Sequence, residues 1–255
     1  MPSITAGDLE VFWKESATDG APVVMIHGNW GTCSWWEPTL ARVPAGLRGL
    51  AYDLRGRGQT KGPDSSYTIA SLALDLASFA RALDLPPMHV VGHSLGSAVG
   101  MQLALDRPEL VRSLTVVAPA WVDGMPSLFH NAAYQRTLTD RAVLGRALRP
   151  LAPAIVPDAF WERLIDEGHT QRVEAAIANL DAVTAWAPGD RLAAIAAPSL
   201  VISGALDALT GPATAVRAAT ALGAEHVVLD GVGHCVPIEA PDAFTEALWR
   251  FLRSA

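Results

Sequence analysis

A chain of 255 residues, half of them hydrophobic, is long enough to bury a substantial core. Its net charge of −7, with no run of Lys and Arg, argues against a nucleic-acid or anionic-membrane partner, since both need clustered cations. No apolar run approaches the roughly 20 residues that span a bilayer, no basic-then-apolar leader opens the chain, and Cys33 and Cys235 form neither a disulfide framework nor a metal-ligand pattern, so the expectation is a cytoplasmic protein with reduced thiols.

Residues 9–13 alternate as an opening strand, and Asp19-Gly20 marks a turn. Residues 23–26 are a continuous apolar run, the pattern of a strand covered on both faces, and they lead into the glycine-rich loop His27-Gly28-Asn29-Trp30-Gly31. Residues 50–52 lead into Asp53-Leu54-Arg55-Gly56-Arg57-Gly58, a strand followed by a tight charged turn in which Asp53 is expected to bond the turn or pair with Arg55. Thr68 caps a helix with Ile69, Leu72, Leu76, Phe79 and Leu83 on one face, and Pro86-Pro87 ends it before a short buried strand at 88–91.

That strand runs into Gly92-His93-Ser94-Leu95-Gly96. A strand entering and a helix leaving at a tight angle force the middle residue into strained backbone and expose its hydroxyl, with glycines where a side chain would collide. Gly96, Gly100 and Ala104 follow four apart, a helix face able to lie close on a sheet. Ser94 is therefore the candidate nucleophile. Residues 114–117 supply another strand, and the alternation of strands and helices implies a parallel sheet with helices on both faces. From about residue 119 to 192 no strand-like run occurs; prolines instead separate helical stretches at 131–149, 158–167 and 171–186. Residues 1–118 and 193–255 are thus expected to form one core, and 119–192 a helical insertion. The α/β order resumes with a strand at 199–204, a helix near 212–222, a strand at 226–229 and a last helix from Pro241.

A serine hydroxyl needs a base within hydrogen-bond reach and a third group to hold that base. Asp207 and His234 each stand just past a strand end, the edge where reactive groups of open parallel sheets gather. Their order, Ser then Asp then His, is the one that accompanies a nucleophile elbow. Asp230 is expected to hold turn amides, and His27 and His93 to hold loops. The other histidines lack metal-ligand spacing, so neither metal nor cofactor is implied. Cys235 adjoins His234 and Cys33 follows the glycine-rich loop, so oxidation of either thiol is a route by which activity would be impaired.

On His27-Gly28, Asp53-x-Arg55-Gly56-x-Gly58, Gly92-His93-Ser94-Leu95-Gly96, Asp207, Gly233-His234 and Glu239-x-Pro241, the chain resembles the α/β-hydrolase superfamily over nearly its whole length. The resemblance implies an α/β-hydrolase fold: an eight-stranded, mostly parallel sheet with helices on both faces, and residues 119–192 as a helical cap between the sixth and seventh strands. It implies Ser94 as nucleophile, His234 as general base and then acid, Asp207 as its orienting group, and the main-chain N–H groups of Asn29 and Leu95 as the oxyanion hole. Asp123 is the rival acid, because some members draw theirs from the end of the sixth strand.

Aromatic residues carry the information on specificity. Trp30, Trp121 and Trp186 are taken as pocket walls, with Phe129, Tyr134, Phe160 and Trp161 as further aromatics of the insertion. No Arg or Lys stands next to the triad motifs to hold a substrate carboxylate, so the expected partner is a small-to-medium, largely uncharged carboxylic ester or lactone. Serine at position 94 removes the aspartate chemistry of the similar haloalkane dehalogenases and epoxide hydrolases. Carbon–carbon bond hydrolases, enol-lactonases, cofactor-free perhydrolases, hydroxynitrile lyases and ligand receptors share the frame and stand as alternatives; a complete triad favours turnover over a receptor.

Overall fold

Along the strand Gly20–Ile26 the apolar run divides between two cores: Val23 and Met25 join one cluster of buried side chains, Val24 and Ile26 the other. A strand that must satisfy both faces has no polar alternation, which is why it reads as continuous apolar sequence. The computed structural model describes residues 2–125 and 132–255; Phe129 and His130, and the first residue of the helix expected over 131–149, lie outside them.

The strands are β1 (Ser3–Ala6), β2 (Leu9–Glu15), β3 (Gly20–Ile26), β4 (Gly46–Tyr52), β5 (Met88–His93), β6 (Val111–Val117), β7 (Ser199–Gly204) and β8 (Glu225–Leu229). They form one sheet in the order β1-β2-β4-β3-β5-β6-β7-β8. The β1–β2 and β2–β4 pairs are antiparallel and the rest parallel. β1 was not expected from the sequence. Only Ala6 of its four residues is buried, so the apolar signal that marks the inner strands is absent.

The helices are α1 (Glu37–Leu40), α2 (Ile69–Ala82), α3 (Leu95–Asp106), α4 (Ala132–Thr139), α5 (Arg141–Leu148), α6 (Ala159–His169), α7 (Val173–Ala185), α8 (Gly211–Leu222), α9 (Val236–Glu239) and α10 (Pro241–Leu252). α2, α3 and α8 share the core that holds Val24 and Ile26, while α1 and α10 share the one that holds Val23 and Met25. Helices therefore cover both faces. Burying such side chains contributes roughly 1.5–3 kcal/mol each. Thr68 caps α2 by accepting a hydrogen bond from the Ser71 N–H.

α4 to α7 all lie between β6 and β7. The single helix expected over 131–149 is two, because Asp140 adopts extended backbone (φ −132°) and accepts hydrogen bonds from the N–H groups of Ala142 and Val143, capping α5. α5 and α6 bury Leu144, Leu148, Trp161, Leu164 and Ile165 against Trp35, Cys235 and Ile238 of the core. Arg163 of α6 pairs with Glu37, and the Thr32 hydroxyl donates to Glu167, so the insertion is tied to the loop after β3 by polar contacts as well. No helix among the described residues is long and apolar enough to cross a membrane.

α3 starts in direct backbone contact with the sheet. A Cβ on Gly96 would stand 2.3 Å from the Ile26 carbonyl oxygen, and one on Gly92 2.2 Å from that of Gly96. Both obstacles are main chain, which cannot rotate away. Gly96→Ala is therefore expected to cost about 3 kcal/mol of stability, seen as a lowered urea midpoint; a wild-type midpoint would mean that α3 has room to shift.

Candidate active site

Ser94 occupies the turn between β5 and α3 with φ 52° and ψ −118°, a conformation that a side chain with a Cβ adopts only under strain. Three interactions hold it there. Its N–H donates to the Val117 carbonyl at 3.0 Å. Its own carbonyl accepts from the Ser97 hydroxyl at 2.5 Å, and Ser97 in turn accepts from the Ala120 N–H at 3.0 Å. The two glycines contribute by letting α3 approach, as described above. The role of Ser97 had no signal in the sequence, because it depends on the end of β6 lying beside β5.

Asp207 follows β7 and His234 follows β8, and parallel pairing of these strands brings the two residues together. His234 Nδ1 lies 2.8 Å from Asp207 Oδ2, and both residues are buried. Asp207 also accepts from the N–H groups of Leu209 and Thr210 and from the Thr210 hydroxyl. Burial alone would raise its pKa, but the His234 contact and these donors win and hold the carboxyl well below the usual range. Asp207 is thus ionised at neutral pH and able to accept from Nδ1, which leaves Nε2 as the imidazole's basic nitrogen.

The rival carboxylates are engaged elsewhere or exposed. Asp123 pairs with Arg217 at 2.8 Å on the surface, and Asp190 joins the same arginine. Asp230 is exposed, and its carboxylate holds no turn amide among the described residues, contrary to the expected turn role. Asp53 accepts from the Cys33 and Gln59 N–H groups and so holds its turn. It does not pair with Arg55, whose guanidinium is taken by Asp75 and Asp8. Glu239, part of the last sequence motif but given no role there, accepts from the N–H groups of Gly233, Cys235 and Ala154 and so pins the His234 loop to the insertion.

His27 and His93 hold loops, as expected. His27 Nδ1 lies 2.8 Å from the Gly28 carbonyl while its Nε2 accepts from the Leu54 N–H. His93 Nε2 donates to the His234 carbonyl at 2.9 Å. Burial pushes both imidazoles down to about 3, so they stay neutral. Burial likewise raises both thiols, helped by Asp53 beside Cys33 and by Glu239 and Asp207 near Cys235. Neither cysteine offers a thiolate, the form that oxidants attack, which weakens the redox expectation. Among the described residues, no group of three or more His, Cys, Asp or Glu is placed to hold a metal ion.

Leu95 is the first residue of α3, so its N–H has no acceptor within the helix. Across the cleft, Gly28 packs against His93 and Ser94: a Cβ there would stand 2.9 Å from His93 Nδ1. That contact brings the loop of Asn29 beside Ser94. The Asn29 side chain accepts from Arg57 Nη2 at 2.6 Å and donates to the Tyr134 hydroxyl at 2.9 Å. Arg57, from the turn after β4, thus reaches the loop of Asn29, though it is not among the residues that line the pocket.

Ser94, Leu95, Asn29 and His234 line one pocket of about 740 Å³, counted out to its open mouth. Its walls are mostly apolar and include Trp30, Trp35, Trp121, Leu148 and Val183. Trp30 and Trp121 line this pocket. Trp186 does not: it packs in the core beneath, and its indole N–H donates to Gln102 at 2.9 Å. At the end of α7, it faces the side of that helix that seals the insertion onto α3. Phe160 and Trp161 pack within the insertion, and Tyr134 lines the pocket.

Residues 23–247 match the alpha/beta hydrolase family. The chain is similar to proteins named "Putative carbamate hydrolase RutD", 34% identical over 92% of both chains in Variovorax paradoxus and 30% identical over 92% of this chain and 94% of the other in Rhizobium rhizogenes. Among solved structures it is similar to the enol-lactonase from Burkholderia xenovorans LB400, at TM-score 0.87 and 25% identity, covering 99% of this chain and 100% of that one. It is also similar to Est816, described as an N-acyl homoserine lactone degrading enzyme, at TM-score 0.82 and 25% identity over 98% and 100% of the two chains.

The strain at position 94 is measurable. A glycine adopts φ 52° without cost, so Ser94→Gly is expected to raise stability by about 1 kcal/mol while removing the hydroxyl. A chemical denaturation curve checks this; unchanged or lower stability would mean that the turn stores no strain.

Proposed function

The chain belongs to the α/β-hydrolase family, and from that premise we propose that it is a serine hydrolase cleaving a small-to-medium, largely uncharged carboxylic ester or lactone through an ester on Ser94. The observation that carries the proposal is the buried His234–Asp207 contact of 2.8 Å behind the pocket that also holds the strained Ser94. His234 Nε2 takes the Ser94 proton as Oγ attacks the carbonyl carbon, and Asp207 fixes the tautomer and balances the imidazolium that results. The N–H groups of Leu95 and Asn29 receive the oxyanion, each worth roughly 3 to 4 kcal/mol in the transition state. The tetrahedral adduct collapses as His234 returns the proton to the leaving oxygen. Water, deprotonated by the same imidazole, then releases the acid and restores Ser94.

The apolar walls give this chemistry its substrate range. Residues 119–192 act as the cap that closes over the acyl or alkyl part, with Trp30 and Trp121 as flat surfaces against it. Two lactone-cleaving neighbours at 25% identity favour ring esters within that class.

The relatives at 34% and 30% identity favour a second reading, carbamate hydrolysis. A carbamate presents the same carbonyl to Ser94, flanked by nitrogen on one side, so the triad and oxyanion donors serve it without change. What differs is the leaving group that His234 must protonate.

A fluorophosphonate probe is expected to label the wild type and not Ser94→Ala, with p-nitrophenyl ester turnover in that variant lowered by about 10⁶. Equal labelling would remove the proposal. Asp207→Asn is expected to lower kcat by about 10⁴, and Asp123→Asn to leave it near wild type; the reverse pattern would move the orienting role to Asp123. Acyl-matched esters, lactones and carbamates compared by kcat/KM separate the two readings, and a carbamate turned over better than its ester selects the second.

A further inference from the structure

Two arginines leave the same turn after β4 and meet opposite environments. Arg55 is bonded by two carboxylates, Asp75 and Asp8. Arg57 is only 2% exposed, yet among the described residues no Asp or Glu pairs with it. Among the described residues its Nε and Nη1 make no hydrogen bond, and its hydrogen-bond partner is Asn29 Oδ1, met by Nη2 at 2.6 Å. Burial pushes its pKa down to about 10, so the guanidinium still carries its charge at neutral pH. A buried cation without a counterion is costly, and such groups gather where a site needs a fixed charge.

The charge is aimed at the loop after β3. Asn29 is held from both sides: Arg57 grips Oδ1, and Nδ2 donates to the Tyr134 hydroxyl, which in turn donates to the Ala176 carbonyl of α7 at 3.1 Å. His27, two residues earlier, also feels Arg57: after burial, the charge of that guanidinium helps to keep its imidazole neutral. The loop's other polar neighbours around Arg57 are neutral phenols, Tyr134 and Tyr67. Any carboxylate there would cancel the field.

We infer that Arg57 is a positioning residue of the oxyanion hole: its uncompensated guanidinium clamps the Asn29 side chain, fixes the Asn29 peptide N–H toward Ser94, and keeps positive charge behind the place where the oxyanion forms. The inference rests on the acyl-transfer reading above and deepens it. It assigns the second arginine of Asp53-Leu54-Arg55-Gly56-Arg57-Gly58 a role apart from the first, which is wholly occupied in structure.

Arg57→Gln, Arg57→Lys and Asn29→Ala test it, each compared with wild type by active-site titration, melting temperature, p-nitrophenyl ester kinetics, and inhibition by phenylboronic acid and by a neutral product alcohol. The boronate forms a tetrahedral adduct that needs the oxyanion donors; the alcohol does not. Arg57→Gln is expected to lower kcat per titrated site by about 10- to 100-fold and boronate affinity by a similar factor, with KM and alcohol affinity within about twofold. Arg57→Lys, which keeps charge and a donor, recovers part of both losses. Asn29→Ala retains the peptide N–H but loses the clamp, and is expected to lose kcat in the same way; it serves as the test should Arg57→Gln fail to fold. Wild-type kcat per site in Arg57→Gln or Asn29→Ala overturns the inference, as does a loss of kcat, boronate and alcohol affinity together that follows the melting temperature. An inert, unlabelled wild type removes the acyl-transfer reading itself, and this inference with it.

Discussion

The contact on which the rest depends is the one between α3 and the carbonyl ends of β3. Gly96 sits so close to the Ile26 and His27 carbonyl oxygens that no side chain fits between them. This approach forces the chain through Ser94 with a positive φ and simultaneously fixes the start of the loop that carries Asn29. Ser94 and the loop of Asn29 are therefore placed by one constraint rather than two. Gly28 repeats the contact from the other side, packed on His93 and Ser94. The cost of the strained serine falls on a densely buried sheet, where Val90, Val116 and Val201 are wholly inaccessible.

Buried charge is managed with similar economy around this centre. Asp207 is surrounded by donors, Glu239 by three amides, and Arg55 by two carboxylates, so each is satisfied where it stands. Among the described residues Arg57 departs from that pattern, and it touches the loop of Asn29. A buried charge without a counterion acts strongly on its neighbours, because little screens it.

The helical insertion contributes walls more than chemistry. α5 and α6 lay their apolar faces on Trp35 and Cys235, and Leu151 accepts the His234 N–H through its carbonyl at 2.8 Å. Tyr134 of α4 reaches the same loop that Arg57 grips. Ser94, Asp207 and His234 stand on the sheet and its loops, while the shape and polarity of the pocket above them come in part from helices packed onto that core.

The amino-acid sequence by itself determined the order of strands and helices, the elbow at Ser94 and the residues Asp207 and His234, because these depend on local pattern: apolar runs, glycine spacing and position after a strand. It also placed Trp30 and Trp121 at the pocket. What only the tertiary structure decided rests on neighbours distant in sequence. β1 is a half-exposed edge strand with too little burial to leave a pattern. The break at Asp140 depends on a cap that competes with continuing the helix. Trp186 is a core residue because α7 turns it toward Gln102, 84 positions away. Arg57 meets Asn29 because β3 and β4 pair in parallel and set their following loops side by side; residue types along one strand's turn carry no record of which other strand lies next to it.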